Sequence, residues 1–485
     1  MSTGLQAAVD RYARHLGYAL DDERIEAFAA ALREHEAAFD EVAELVDLPT
    51  PPERDYWDPD PATDPNGAFL TRCAVGGGDG PLSGTTVAVK DNIAVAGVPM
   101  TVGSPAMAGF VPRTDATVVE RLLDAGARVV GKANLDEFAH GRHVDSMPFR
   151  RAKNPHDPVY QPGSSSTGSG VAVADGLADV ALGTDNGGSV RYPAAWCGVV
   201  GLKPTRGLVS HHGFVRGSKT CDTVGVLARE TDGVARGLQA IAGEDPRDDM
   251  TSGAVVGDYV AAVERGRSAD PTDLVVGVPE QFVGHAPALD DVAGATLDRL
   301  ADAGAELRSI SVDAVEHAPT AYRVLTWAEF GNYVRASATD HGRVGLPDPE
   351  LASTLHERLS ADTGAFPDRV VLAALSAEHL SREYGDRPYA LAHHLRKRVT
   401  DGLDAALAEV DVLASTTLTA PPPRHDEPIP AAGGNTMPAN VGGHPAVSVP
   451  CGEHDGFPVG LQFLGGWFEE ATVLRAAASV ETVLA

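Results

Sequence analysis

Residues 162–206 read PGSSSTGSGVAVADGLADVALGTDNGGSVRYPAAWCGVVGLKPTR, and no other stretch of the chain restricts its fold as tightly. Two clusters of Gly and Ser flank a short apolar segment, each placed to open a helix. Glycine permits backbone angles closed to other residues and lets a ligand come close to the main chain. Helix N-termini present free N–H groups toward negative charge. Two serine-bearing turns, joined by about one helix and one strand, suggest a catalytic floor rather than a linker.

The surrounding pattern is α/β. Residues 84–95 (GTTVAVKDNIAV) alternate and are β-branched, which predicts a strand ending near Lys90. Residues 115–126 form an amphipathic helix with Asp115 as its expected N-cap, and ARVVGKAN follows as a short buried strand. Strand, helix and strand repeat over 270–312, and strands return at DVLAST, PAVSVPCG and FPVGLQFLGG before a closing helix from Glu469. Such alternation predicts a large mixed, mostly parallel sheet covered by helices on both faces. The expected domains are 1–65, a helical region plus a Pro-rich connector, and 66–485, the catalytic domain. Within the latter the core motifs span 84–230, and 313–410 is a mainly helical, variable region. The connector over 48–65 should lie on the surface, with Tyr56 and Trp57 as anchors.

Asp and Glu number 68 against 39 Lys and Arg, a net charge of −29 spread along the whole chain. Such an excess repels itself in the compact state, and molar salt shortens the screening length to about 3 Å. The expectation is a halophilic protein of a salt-accumulating cytoplasm that makes no direct contact with nucleic acid. No apolar run reaches the length of a membrane span, and the N-terminus lacks a secretion pattern. The four cysteines are scattered, which fits reduced, buried thiols rather than a zinc site.

Several motifs fall away. No Gly-x-Ser-x-Gly elbow occurs. Gly126 to Ala133 approaches a phosphate loop, but Ala133 replaces the Ser or Thr that would hold magnesium, and Val129-Val130 reads as strand. His140, His143 and Asp145 have no specific metal spacing, and His211-His212 reads as loop. What remains is a set of serines and one lysine. A buried lysine can replace histidine as base, because desolvation disfavours the ammonium. Taken alone, Lys90 reads more simply as a solvated strand-end lysine. The run Thr184-Asp-Asn-Gly-Gly-Ser189 is either an oxyanion hole entering a helix or a tight Gly-rich turn.

Three segments together resemble the amidase signature hydrolases. VAVKDNIAVAGVPMTVGS is similar to that family's lysine strand, PGSSSTGSG to its Gly/Ser loop, and LGTDNGGSVRYPAAWCGVVGLKPTRG to its nucleophile segment. The spacings agree: 75 positions from Lys90 to Ser165 and 24 from Ser165 to Ser189. The resemblance implies a Ser–cis-Ser–Lys triad of Ser189 as nucleophile, Ser165 as proton carrier after a cis Ser164–Ser165 bond, and Lys90 as neutral base. It also implies an oxyanion hole from the N–H groups of Asn186, Gly187, Gly188 and Ser189, with no metal or cofactor. Ser166, Asp185 and Arg191 are expected to support the site or bind substrate, Arg191 more as a brace. Ser164 and Thr167 stand where the family has Gly, or Gly or Ser, and Leu227 where Pro is common.

For the reaction, the helical N-terminus and connector resemble stand-alone amidases, so hydrolysis of a small aliphatic or aryl amide is the leading expectation. The partners expected with it are a small-molecule amide and a second copy in a homodimer, with neither nucleic acid nor membrane. The alternative is the glutaminase component, the A subunit, of an aminoacyl-tRNA amidotransferase. NLDEFAHG resembles that component, whereas the RHVDS that follows departs from it.

Overall fold

The computed structural model describes residues 2–140, 146–268, 271–339, 345–361, 363–429 and 435–485. It comprises two units, Met1–Thr50 and Pro51–Ala485. The first holds helices α1 (Ser2–His15) and α2 (Asp22–Leu45), the second of them capped by Asp21, whose carboxylate accepts the Arg24 N–H.

The larger unit is organised by one twelve-stranded sheet. Its strands are β1 (Tyr56–Trp57), β2 (Phe69–Gly76), β3 (Thr86–Lys90), β4 (Arg128–Ala133), β5 (Val180–Asp185), β6 (Val200–Lys203), β7 (Thr223–Ala228), β8 (Val275–Pro279), β9 (Glu306–Ile310), β10 (Val412–Thr416), β11 (Ala446–His454) and β12 (Phe457–Gly465). They lie in the order β1-β2-β4-β3-β5-β7-β6-β11-β12-β10-β8-β9. The helices are α3 (Thr117–Asp124), α4 (Thr167–Ala174), α5 (Arg191–Cys197), α6 (Thr231–Ile241), α7 (Tyr259–Ser268), α8 (Pro287–Asp302), α9 (Ala318–Arg335), α10 (Pro349–Ala361), α11 (Asp368–Tyr384), α12 (Arg387–Leu407), α13 (Met437–Gly442) and α14 (Glu470–Leu484).

The sheet is mixed, as expected, but it is not mostly parallel. Among the described residues only β3–β4, β3–β5, β8–β10 and β8–β9 pair in parallel; the other neighbours are antiparallel. One cause is local. Asp455 and Gly456 both take positive φ between β11 and β12, the geometry of a two-residue hairpin that fixes an antiparallel pair.

Strand alternation divides the interior into two faces. Val87 and Val89 of β3, Val180 and Leu182 of β5, and Val224 and Val226 of β7 join α3, α6 and α14 in the largest apolar cluster. Ala88, Ala181 and Leu227 point the other way, into a smaller cluster with α4 and α5. Lys90 shares the parity of Ala88, which puts its side chain on the α4 face.

Two expectations about the periphery need correction. Tyr56 and Trp57 anchor the connector through backbone pairing with β2, while their side chains remain about half exposed. The stronger tie is Arg54, whose guanidinium meets both oxygens of Asp115 at 2.6 Å. That pairing takes Asp115 away from capping: α3 starts at Thr117 with no side-chain cap. Gly126 to Ala133 passes into strand β4, where buried Lys132 is paired with Asp91 at 2.8 Å. No helix among the described residues is long and apolar enough to cross a membrane.

Candidate active site

Lys90 closes β3 and is fully buried. Its Nζ lies 2.8 Å from Ser165 Oγ, 2.8 Å from Thr184 Oγ1 and 3.1 Å from Ser166 Oγ. Burial pushes its pKa down to about 7, against the opposing pull of Asp136, Asp222 and Asp185. An amine near that value is neutral in an appreciable fraction at physiological pH and can take a proton. Thr184 also receives Asn92 Nδ2 at 3.2 Å, so its hydroxyl is held from two sides. No motif in the sequence marks Thr184 or Asn92 as a support of the lysine.

Ser165 follows a cis peptide bond from Ser164 and precedes Ser166, the N-cap of α4. The Ser166 N–H donates to the Ser189 carbonyl at 3.1 Å, tying the first serine turn to the second. Ser165 and Ser189 line the same cavity of about 430 Å³, together with Asn186 and Gly187.

The second turn is held from beneath. The Asp185 carboxylate accepts the N–H of Gly188 at 2.7 Å and of Val190 at 3.1 Å. Gly188 adopts φ 124°, and a Cβ there would come within 2.6 Å of Thr436 and Tyr192. The Gly188 amide is therefore committed to Asp185, which corrects its place among the expected oxyanion donors. The Asn186, Gly187 and Ser189 amides have no protein acceptor among the described residues, and all three residues line the cavity.

Arg191 is fully buried and spends its donors on protein: Asp185, the Thr436 carbonyl, Gln462 Oε1 and Asn440 Oδ1. Burial alone would raise the Asp185 pKa, but the guanidinium beside it holds the carboxyl well below the usual range. Neither residue lines the cavity, and nor does Ser166, whose hydroxyl bridges Lys90 and the Thr184 backbone. All three stand beneath the site rather than in reach of substrate.

The loop residues that depart from the family pattern converge on one group. Ser164 Oγ donates to Asp136 Oδ2 at 2.6 Å, Thr167 Oγ1 approaches the same oxygen at 3.4 Å, and Ser146 donates to the other. Across the cavity stand Tyr192, Tyr322, Trp327 and Phe330, with Arg323 and Arg369 also in the lining. His140 is stacked on Phe330 with ring centroids 3.8 Å apart, and burial pushes its pKa down to about 4. His143 and Asp145, like most of the RHVDS run, lie outside the described residues.

Two serine turns and open amides around one cavity, with a buried lysine behind the first serine, have the composition of an amide-hydrolysing centre. The family model described as Amidase matches residues 67–474. The chain belongs to the amidase signature family. The A subunit of the glutamyl-tRNA(Gln) amidotransferase of Halobacterium salinarum is 42% identical over 426 residues, 85% of this chain and 99% of that one. The crystal structure of the Thermotoga maritima protein of the same name superposes with a TM-score of 0.72 at 30% identity, covering 86% of this chain and 88% of that one. The peptide amidase of Stenotrophomonas maltophilia gives 0.70 at 34% identity, covering 83% of each. Members of this family act on amide C–N bonds, and this chain is an enzyme of that kind.

These relatives overturn the expected set of partners. An amide and a second copy, with nucleic acid excluded, do not describe proteins whose names make them one component of an enzyme acting with glutamyl-tRNA(Gln). The acidic charge bears on direct contact between this surface and a phosphate backbone. It says nothing of a nucleic acid held by another component.

Proposed function

We propose that this chain hydrolyses the side-chain amide of glutamine as the A subunit of a glutamyl-tRNA(Gln) amidotransferase, supplying ammonia to a partner protein. The observation that carries the reading is 42% identity to a protein of that name across 99% of its length. It replaces the stand-alone amidase as the leading reading.

In the proposed mechanism Ser189 Oγ attacks the amide carbonyl and its proton passes through Ser165 to neutral Lys90, 2.8 Å away. The amides of Gly187 and Ser189 receive the developing oxyanion, where each preorganised donor is worth about 10²–10³ in rate. The proton returns to the leaving nitrogen, ammonia departs, and water releases the acid from Ser189. Arg323 and Arg369 place positive charge in the lining, which suits the α-carboxylate of an amino-acid amide.

A second reading rests on the aromatic wall. Tyr192, Tyr322, Trp327 and Phe330 suit an aryl or other apolar acyl group, as a self-sufficient amidase would use. One experiment separates the two: ammonia release in molar KCl from glutamine and from simple aliphatic and aryl amides, with and without the partner proteins, for the parent and Ser189→Ala. Glutamine turnover dependent on the partners supports the amidotransferase. Turnover of simple amides by the chain alone, lost in the variant, supports the amidase. Equal activity in parent and variant refutes the assignment of the nucleophile.

A further inference from the structure

The nucleophile turn is gripped from the cavity side by a ring of polar contacts that closes through one helix. Tyr322 and Glu329 lie seven residues apart on α9, two turns along the same face. The Tyr322 hydroxyl donates to Asn186 Oδ1 at 2.7 Å. Asn186 Nδ2 donates to Asp222 Oδ1 at 2.6 Å. Asp222 Oδ2 accepts the N–H groups of Gly217 at 2.6 Å and Ser218 at 2.8 Å. The Ser218 hydroxyl then donates to Glu329, which also takes the Thr220 N–H at 3.0 Å and the Tyr389 hydroxyl at 2.8 Å. Asp222 and Glu329 are both buried.

The ring bears directly on the reacting geometry. Asn186 immediately precedes Gly187, and the Tyr322 phenol covers that glycine so closely that a Cβ there would lie 2.7 Å from its oxygen. Asn186, Asp222 and Tyr322 line the cavity, whereas Glu329 does not. The Gly187 amide turns with the Asn186 backbone, and that backbone is restrained where the Asn186 side chain is fastened on both sides, by Tyr322 and by Asp222. An ionised Asp222 matches all three of its donors, since a carboxylate accepts at both oxygens and donates at neither.

We propose that Asp222 is a positioning residue, holding Asn186 and so the Gly187 and Ser189 amides in register, and that α9 secures both ends of this tie through Tyr322 and Glu329. The shape of the α9 wall and the alignment of the oxyanion donors are thereby one mechanical unit. Asn186 and Tyr322 are 136 positions apart, and nothing in the sequence marks that link.

The proposal rests on Ser189 as nucleophile but not on which amide is hydrolysed, and the test keeps the two apart. The full-length parent, Asp222→Asn, Tyr322→Phe and Glu329→Gln are treated in molar KCl with a fluorophosphonate. Ser189 Oγ forms a bond to phosphorus, fluoride leaves, and the serine proton passes to solvent. The same proteins are then assayed for kcat and KM on whichever amide the parent turns over, with its partner proteins if these are required.

Asp222→Asn is expected to slow phosphonylation and kcat by about 10²-fold, the order that a misplacement near 1 Å produces. Tyr322→Phe keeps the ring and is expected to lose about tenfold, and the double variant less than the product of the two. Glu329→Gln, away from the substrate, should lower kcat with KM held within twofold. Raised KM with kcat and labelling at the parent's rate would overturn the proposal, as would parent-like behaviour throughout. Should Asp222→Asn fail to fold, Tyr322→Phe decides on the same criteria. A parent that is not labelled on Ser189 would instead refute the nucleophile.

Discussion

Replacing Lys90 with methionine removes the base and should, unusually for a buried residue, stabilise the protein at neutral and acidic pH. The folded pKa is about 7 and the ordinary value 10.5. Below pH 7 both states carry the proton, and the folded state bears the full cost of the buried ammonium, about 5 kcal/mol. Between pH 7 and 10.5 the unfolded chain binds a proton that the folded one has released, so stability rises with pH across that window. By pH 10 about 1 kcal/mol of the cost remains. Methionine fills a similar volume without charge but forfeits the hydrogen bonds to Ser165, Ser166 and Thr184, a loss of about 1–3 kcal/mol. Lys90→Met should therefore gain about 2–4 kcal/mol at pH 6 and be neutral or slightly destabilised at pH 10. Urea unfolding in molar KCl at pH 6, 8 and 10 measures this. In the parent, kcat/KM should fall about tenfold per pH unit below 7 as the amine protonates. A variant destabilised equally at pH 6 and pH 10 would refute the argument, because it would mean that Lys90 keeps an ordinary pKa and is charged when folded.

Ser189→Ala should abolish turnover and fluorophosphonate labelling, and Ser165→Ala should reduce turnover by at least about 10²-fold, checked by ammonia release. Arg191→Met leaves the Asp185 carboxylate buried without its cation, so unfolding free energy should drop by about 3–5 kcal/mol, read from urea curves. With a net charge of −29, the melting temperature should climb between 0.1 M and 2 M KCl; a flat or falling curve would remove the case for salt adaptation.

The parts of this protein that are legible in its sequence are those whose signal is local. β3, β4, β10 and β11 announce themselves as short runs with β-branched residues and β12 as an apolar run, and the two Gly/Ser turns mark the starts of α4 and α5. The two-residue strand β1 has no pattern to read, because its pairing is a matter of backbone alone. Strand direction escapes a reading by alternation, which gives no weight to the Asp455-Gly456 turn. In the site, Lys90, Ser165 and Ser189 can be named because their motifs are compact. Asp222 and Tyr322 cannot, since each is defined by a partner far away in the chain. Gly188 reads as an oxyanion donor until the position of the Asp185 carboxylate is known.

The departures at Ser164 and Thr167 find their reason in the same way. Asp136 is buried, and burial raises its pKa; the hydroxyls of Ser146, Ser164 and Thr167 oppose that shift by hydrogen bonding, with the charge of Lys90 acting in the same direction. With glycine at both loop positions, the carboxylate would keep Ser146 alone among these hydroxyl donors. Asp136 is also the first of the charges that oppose the fall in the Lys90 pKa. A loop with two extra hydroxyls thus favours the ionised form of a carboxylate behind the triad, and the charge of that carboxylate opposes the fall in the lysine's pKa. Ser164→Gly should let the Asp136 pKa rise further, weaken that pull, and shift the acid limb of the rate profile below the parent's value near 7. An unmoved limb would mean that Ser164 acts on loop shape alone.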